Sequence, residues 1–280
     1  LPVARKAAQL AGPTSHFYCT ACHCWHRSTC GRIDVCSADW VLCDKDEMCR
    51  LAELWKNAGT STERNKLFAS HGVQWSTLWR LPYWDPSCQV IIDTMHCLLE
   101  GLAHDHFCEF LGLTADLAQQ NTPEVMEHIV NVIQTTDVPS SLRSVPYNFG
   151  EAKAGTLKAD EWRTLTTVYL PIALVSLWNE GSQHRTSEVA ANHCAILDHT
   201  MSLASVSAVH IACLPFMTVA RAQAYHGYIV AWIRDLQVLH PHAPHCTNGH
   251  MVLHIWDYLQ LFGPVRSWWC FPYERLIGQL

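Results

Sequence analysis

Charge is scarce in this sequence. Asp, Glu, Lys and Arg make up only 16% of 280 residues, while 49% are hydrophobic. That balance excludes a disordered or solvating chain and leaves enough apolar surface for one large core or two modest ones. Positive charge is the scarcer sign, with 19 Lys and Arg against 25 Asp and Glu, for a net charge of −6. No global positive field therefore draws the chain to nucleic acid, and any DNA contact must be local. A membrane-length apolar run is also missing. The most apolar stretch, Leu165 to Trp178, is too short to span a bilayer. There is no internal repeat, no low-complexity linker and no secretory pattern at the start. Position 1 is Leu1, and the sequence reads as if cut from something longer.

Cysteine and histidine are abundant instead, at 14 and 18 residues. A secreted disulfide scaffold would be shorter and poorer in core residues, so the thiols read as intracellular and available to metals. They crowd between residues 19 and 49. Cys88, Cys97, Cys108, Cys194 and Cys213 lie apart and read as small buried hydrophobes.

The periodicity is mostly helical. Residues 1 to 12 suggest a short Ala-rich helical turn or loop, and 13 to 45 an irregular, metal- or turn-dominated segment. Helices are expected over Asp44 to Ala58 and over Thr62 to His71, stopping at Gly72. Val90, Ile91 and Ile92 suggest a short buried strand. A helix should follow from Asp93, a suitable N-cap, to Leu111. Further helices are expected over Thr122 to Thr135, Lys158 to Asn179 (interrupted by Pro171), Ser187 to Ala212, Met217 to Leu239 and His250 to Leu261. A last helix restarts at Pro272.

Four clusters carry chemistry. Cys19-x-x-Cys22 can present two thiolates to one tetrahedral metal, but supplies only half a structural site. Cys24, His26, Cys30 and Cys36 are local candidates for the other half, and reduced thiols in a loop remain the alternative. His250 and His254 stand four apart, so a helix would put both imidazoles on one face. No Glu follows His250, which excludes the His-Glu-x-x-His protease pattern. Asp93-Thr-Met-His96 opens a helix and on local grounds reads as a plain cap. Glu274 follows the aromatic run Trp268 to Tyr273 in the first turn of the last helix, where a carboxylate suits the dipole. Arg266 and Arg275 make that neighbourhood the best local place for a phosphate contact.

Several stretches resemble the CACTA (En/Spm-type) cut-and-paste transposases in their fungal form. They are Leu1-Pro-Val-Ala-Arg-Lys6, Phe17 to Cys22, Trp79 to Pro86, Ile92 to Gly101, Leu157 to Trp162 and Leu261 to Arg275. The resemblance implies an RNase H-like core whose three acidic residues hold Mg2+ or Mn2+, with a large helical insertion before the third acid. It makes Glu274 the candidate third acid and Asp93 to His96 the family's Asp-x-x-His motif. The family's second Asp normally sits just before the Leu-Pro-x-Ala-Arg stretch, so the first two acids are expected upstream of Leu1. The related V(D)J recombinases bind one zinc through a CxxC and a later His pair. By that likeness Cys19, Cys22, His250 and His254 form one composite structural Zn2+ site.

The expected architecture is therefore mainly α: a helical insertion attached to an incomplete RNase H-like α/β core. Its segments would be a Cys-rich part at 1–45, a helical region at 46–249 and a closing part at 250–280. The expected function is that of a transposase fragment, nuclear, acting on transposon-end and target DNA in the intact parent, with a homo-oligomer as a further expectation and no membrane partner. The alternatives are a degenerate or domesticated remnant serving as a zinc-stabilised helical binding module, and a zinc-dependent hydrolase.

Overall fold

The computed structural model describes residues 2–24, 40–113, 123–149, 155–178, 188–204, 208–241 and 247–277. It is mainly helical, with no strand among the described residues. Extended pairing there is confined to two isolated bridges, Leu10 with Val73 and Cys22 with Leu42. The chain divides into two compact units, Leu1–Asp93 with His245–Tyr258, and Thr94–Pro244 with Leu259–Leu280. This division cuts across the three segments drawn from the sequence. Residues 46–93 join the Cys-rich part, and 250–258 return to it.

In the first unit, the Lys45–Asn57 helix starts where the sequence says it should. Asp44 is extended, and its side chain accepts from the Glu47 N–H at 2.8 Å. Asp46 and Glu47 face the positive helix end, and Lys56 the negative one. The helix buries Met48 and Ala52 against Ala8, Leu10, Val73 and Val90, with Trp75, Trp79 and Trp84 packed around them. The Ser61–His71 helix is capped by Thr60, which accepts from the Glu63 N–H at 3.1 Å. It stops at Gly72 because that residue is left-handed, with φ 70°. A Cβ at Gly72 would lie 2.7 Å from the Phe17 side chain. Gly72→Ala should therefore cost about 2 kcal/mol or more, from the backbone and the clash together. Urea unfolding would read this, and an unchanged midpoint would refute it.

The expected strand at Val90 to Ile92 does not form. Val90 and Ile92 are buried, but the segment is irregular. Burial against helices satisfies the apolar side chains, and no neighbouring strand offers a ladder.

In the second unit, the expected helix after Asp93 is present but more widely wound. Met95–Ala103 and Asp105–Phe110 are π-helical. Pro171 does not break its helix. A π-helical stretch, Leu165–Tyr169, joins Ala159–Thr164 to Leu170–Trp178 just ahead of the proline. A widened turn there relieves the clash between the ring and the preceding carbonyls. The Val219–Leu239 helix packs on Glu188–Leu203 and Ala208–Ala212, and Met95–Ala103 packs on Ala159–Thr164. The Ala191–Ala212 stretch contains an 18-residue window with the mean hydropathy of a bilayer span, but 53% of that window is buried inside the fold, as in a core helix.

Buried polar groups organise the centre of this unit. His106 is fully buried, and its Nε2 lies 2.9 Å from the Thr200 hydroxyl. The Trp232 indole N–H donates to its Nδ1 at 3.3 Å. His106 must therefore be neutral with its proton on Nε2, donating to Thr200, which donates on to the Ile196 carbonyl at 2.7 Å. His199 lies parallel to the Trp232 ring and reaches that residue's carbonyl with Nε2 at 2.9 Å.

Candidate metal centre

Four residues of the first unit converge. Cys19 and Cys22 form a tight knuckle in which the Cys22 N–H reaches the Cys19 sulfur at 3.4 Å. Pairing with the 41–43 segment holds the knuckle, through His23 N–H to the Val41 carbonyl and Cys43 N–H to the Ala21 carbonyl. Beneath it, the buried Arg5 guanidinium donates to the carbonyls of Tyr18 and Ala11. His250 lies on the short Thr247–Met251 helix. His254 follows in a tighter 3-10 turn, Val252–His254. The two rings nevertheless face each other, with centroids 5.0 Å apart.

The donor atoms match the edges of a zinc tetrahedron. Bond lengths of ~2.3 Å to sulfur and ~2.0–2.1 Å to nitrogen imply edges of about 3.8 Å between sulfurs and about 3.3 Å between nitrogens. The Cys19 and Cys22 sulfurs are 3.7 Å apart, and the two histidine Nε2 atoms 3.3 Å apart. The Cys22 sulfur lies 3.2 Å from His250 Nε2. All four ligand atoms fall within 4.8 Å of one another, and all four residues are buried. The set can hold a metal such as zinc.

The surroundings suit a closed centre. The Trp40 ring lies 4.9 and 5.3 Å from the two imidazoles, and Tyr18 meets His250 edge-on. His254 turns Nδ1 outward to Asp257, 3.2 Å away, which leaves Nε2 for the centre. Burial works against charge at these groups. Even so, hydrogen bonds from Cys22, His250 and His254 hold the Cys19 thiol well below its ordinary range. His254 is pushed up to about 9, against burial, by Asp257 and Cys19. Without a cation the cluster pairs a thiolate with an imidazolium, and a metal must displace the imidazolium proton as it binds. Cys24 accepts from the Tyr18 hydroxyl at 3.2 Å and stands outside the four-residue group. His26, Cys30 and Cys36 lie outside the described residues.

The other expected residues scatter differently. Asp93 is buried and directly precedes the helix that begins at Thr94. His96 and Glu274 meet in the second unit, Nε2 to Oε1 at 3.2 Å, and Glu100 stands 3.9 Å from the same His96 nitrogen. Glu274 also lines a cleft of about 360 Å3 with Glu100, Arg143, Lys158, Asp160 and Phe271. Arg266 is turned inward through Nε, which donates to the Cys213 carbonyl at 2.9 Å, and its guanidinium lies over Trp269. The Arg275 side chain lies outside the described residues.

Sequence reasoning missed Arg5 and Asp257. Asp257 carried a local signal, because three residues past His254 is the same helical face. Arg5 carried none, since its partners are backbone carbonyls. Comparison with known protein families finds no match, and neither does comparison with curated proteins.

Proposed function

We propose that the chain is part of the catalytic core of a CACTA-type cut-and-paste DNA transposase, held together by a structural zinc ion. The convergence of Cys19, Cys22, His250 and His254 carries this reading, because two half-sites 228 residues apart supply the four donors one zinc requires. The meeting of His96 with Glu274 supports it further. Two sequence-distant stretches of the resemblance come together there, beside the acids Glu100 and Asp160. In this reading Glu274 holds Mg2+ or Mn2+, the cation that supplies charge stabilisation in phosphoryl transfer. The RNase H-like sheet and the other two acids belong to parts of the parent protein outside the described residues. DNA is the substrate, the nucleus the compartment and a homo-oligomer the working form. A zinc hydrolase is disfavoured, since four protein ligands leave no open position for water.

The test has two arms. Elemental analysis should find one zinc per chain, lost in Cys19→Ser/Cys22→Ser. In the context of its full reading frame, Mg2+-dependent DNA strand cleavage should fall by at least about a hundredfold in Glu274→Gln, as when one charge-stabilising group is removed from a preorganised site. Zinc without any cleavage would favour the remnant that acts as a helical binding module.

A further inference from the structure

The four donors are backed by two charged residues of opposite sign, one behind each half of the set. On the thiol side, Arg5 is only 1% exposed. Its guanidinium donates to the Ala11 carbonyl at 2.9 Å and to the Tyr18 carbonyl. The second of these immediately precedes Cys19. Its Nε has no hydrogen-bond partner among the described residues. A cation buried this deeply is destabilising unless an anion answers it. The thiolate of a metal knuckle is such an anion. On the imidazole side, Asp257 faces His254 Nδ1 at 3.2 Å, so the ring has one orientation in which both nitrogens are used. A carboxylate behind a ligating imidazole fixes its tautomer and raises its basicity.

We infer that Arg5 and Asp257 are positioning residues of the metal centre, Arg5 fixing the Cys19–Cys22 knuckle and Asp257 fixing His254, so that the tetrahedron is set before the ion arrives. This rests on the zinc reading above. Arg5 joins the Pro2–Ala7 helix to the knuckle by hydrogen bonds that only a planar, multi-donor group can make at two carbonyls. Lys at this position keeps the charge and loses the fork. Asn at 257 keeps the shape and loses the charge.

The experiment measures zinc affinity of the whole chain by competition with a chromogenic chelator, and the visible absorption of its cobalt(II) form. Asp257→Asn should bind zinc roughly 10–100-fold more weakly, the usual effect of removing such a partner. Arg5→Met should weaken it by a similar factor, and Arg5→Lys should recover part of the loss. The cobalt bands should shift in Asp257→Asn and Arg5→Met, a change that loss of fold stability alone would not produce. Should Arg5→Met fail to fold, Asp257→Asn decides the matter, because its carboxylate is 44% exposed and no part of the core. Wild-type affinity and unshifted bands in Asp257→Asn, or in a folded Arg5→Met, would overturn the inference while leaving the zinc site standing. A wild-type chain that binds neither zinc nor cobalt would overturn both.

Discussion

Stripping the metal should sharply lower the temperature at which the first unit unfolds. Structural zinc contributes about 10–16 kcal/mol in zinc-finger peptides. Even a third of that, about 3–5 kcal/mol, is a large share of the whole stability of an ordinary domain, about 5–15 kcal/mol. In the first unit the ion would tie two distant stretches together, because His250 and His254 return to Cys19 and Cys22 from far along the chain. Without the ion, two thiols and two imidazoles remain packed together in a buried cluster. We expect a strong chelator, or Cys22→Ser, to lower the thermal midpoint by roughly 10 °C or more, as a loss of about 4 kcal/mol implies for a chain of this size. Added zinc should restore the chelated protein but not the variant. An apo protein that melts where the zinc-loaded one does would remove the structural role.

Acid should destabilise the second unit well before its carboxylates protonate. Burial keeps His106 far below its ordinary range, with His199 and His240 adding repulsion. Burial also lowers His199 to about 4, although its bond to the Trp232 carbonyl and the charge of Asp235 pull the other way, and His240 adds to the lowering. An unfolded chain takes up these protons near pH 6.5, and the folded one does not. The stability they leave intact above pH 6.5 is therefore lost progressively as pH falls toward 4. For His199 alone the shift corresponds to roughly 3 kcal/mol at the acid end. Denaturant unfolding followed by tryptophan fluorescence at pH 7 and pH 4.5 should show the decline. His199→Gln should flatten it, which separates this effect from proton competition at the metal centre. Equal slopes in the variant and the wild type would refute the assignment.

The legible parts of this protein were those whose cause is local. Asp44 announces a helix because its side chain reaches an N–H three residues on. Gly72 ends one because only glycine rests comfortably at its φ. The spacings Cys19-x-x-Cys22 and His250-x-x-x-His254 state that each pair can share an ion. That the two pairs come together is implied by the resemblance and not by either spacing. What stayed hidden was non-local. Three apolar residues at 90 to 92 look the same whether strands or helices bury them. The stacking of His199 on Trp232 joins residues 33 apart, and nothing in either neighbourhood marks it. Arg5 acts on the knuckle through a backbone carbonyl, a contact that no spacing rule records.

The 228 residues between Cys22 and His250 also set a waiting time. At about 5–20 residues per second, roughly 10–45 s of synthesis separates the first half of the tetrahedron from the second. A nascent chain therefore carries a bare thiol pair past every oxidant and stray metal in the cell before its own histidines emerge. The second unit lies almost wholly within that interval and can fold while the first is still open. The first unit cannot bring its four donors together until His254 has been made, after most of the second unit.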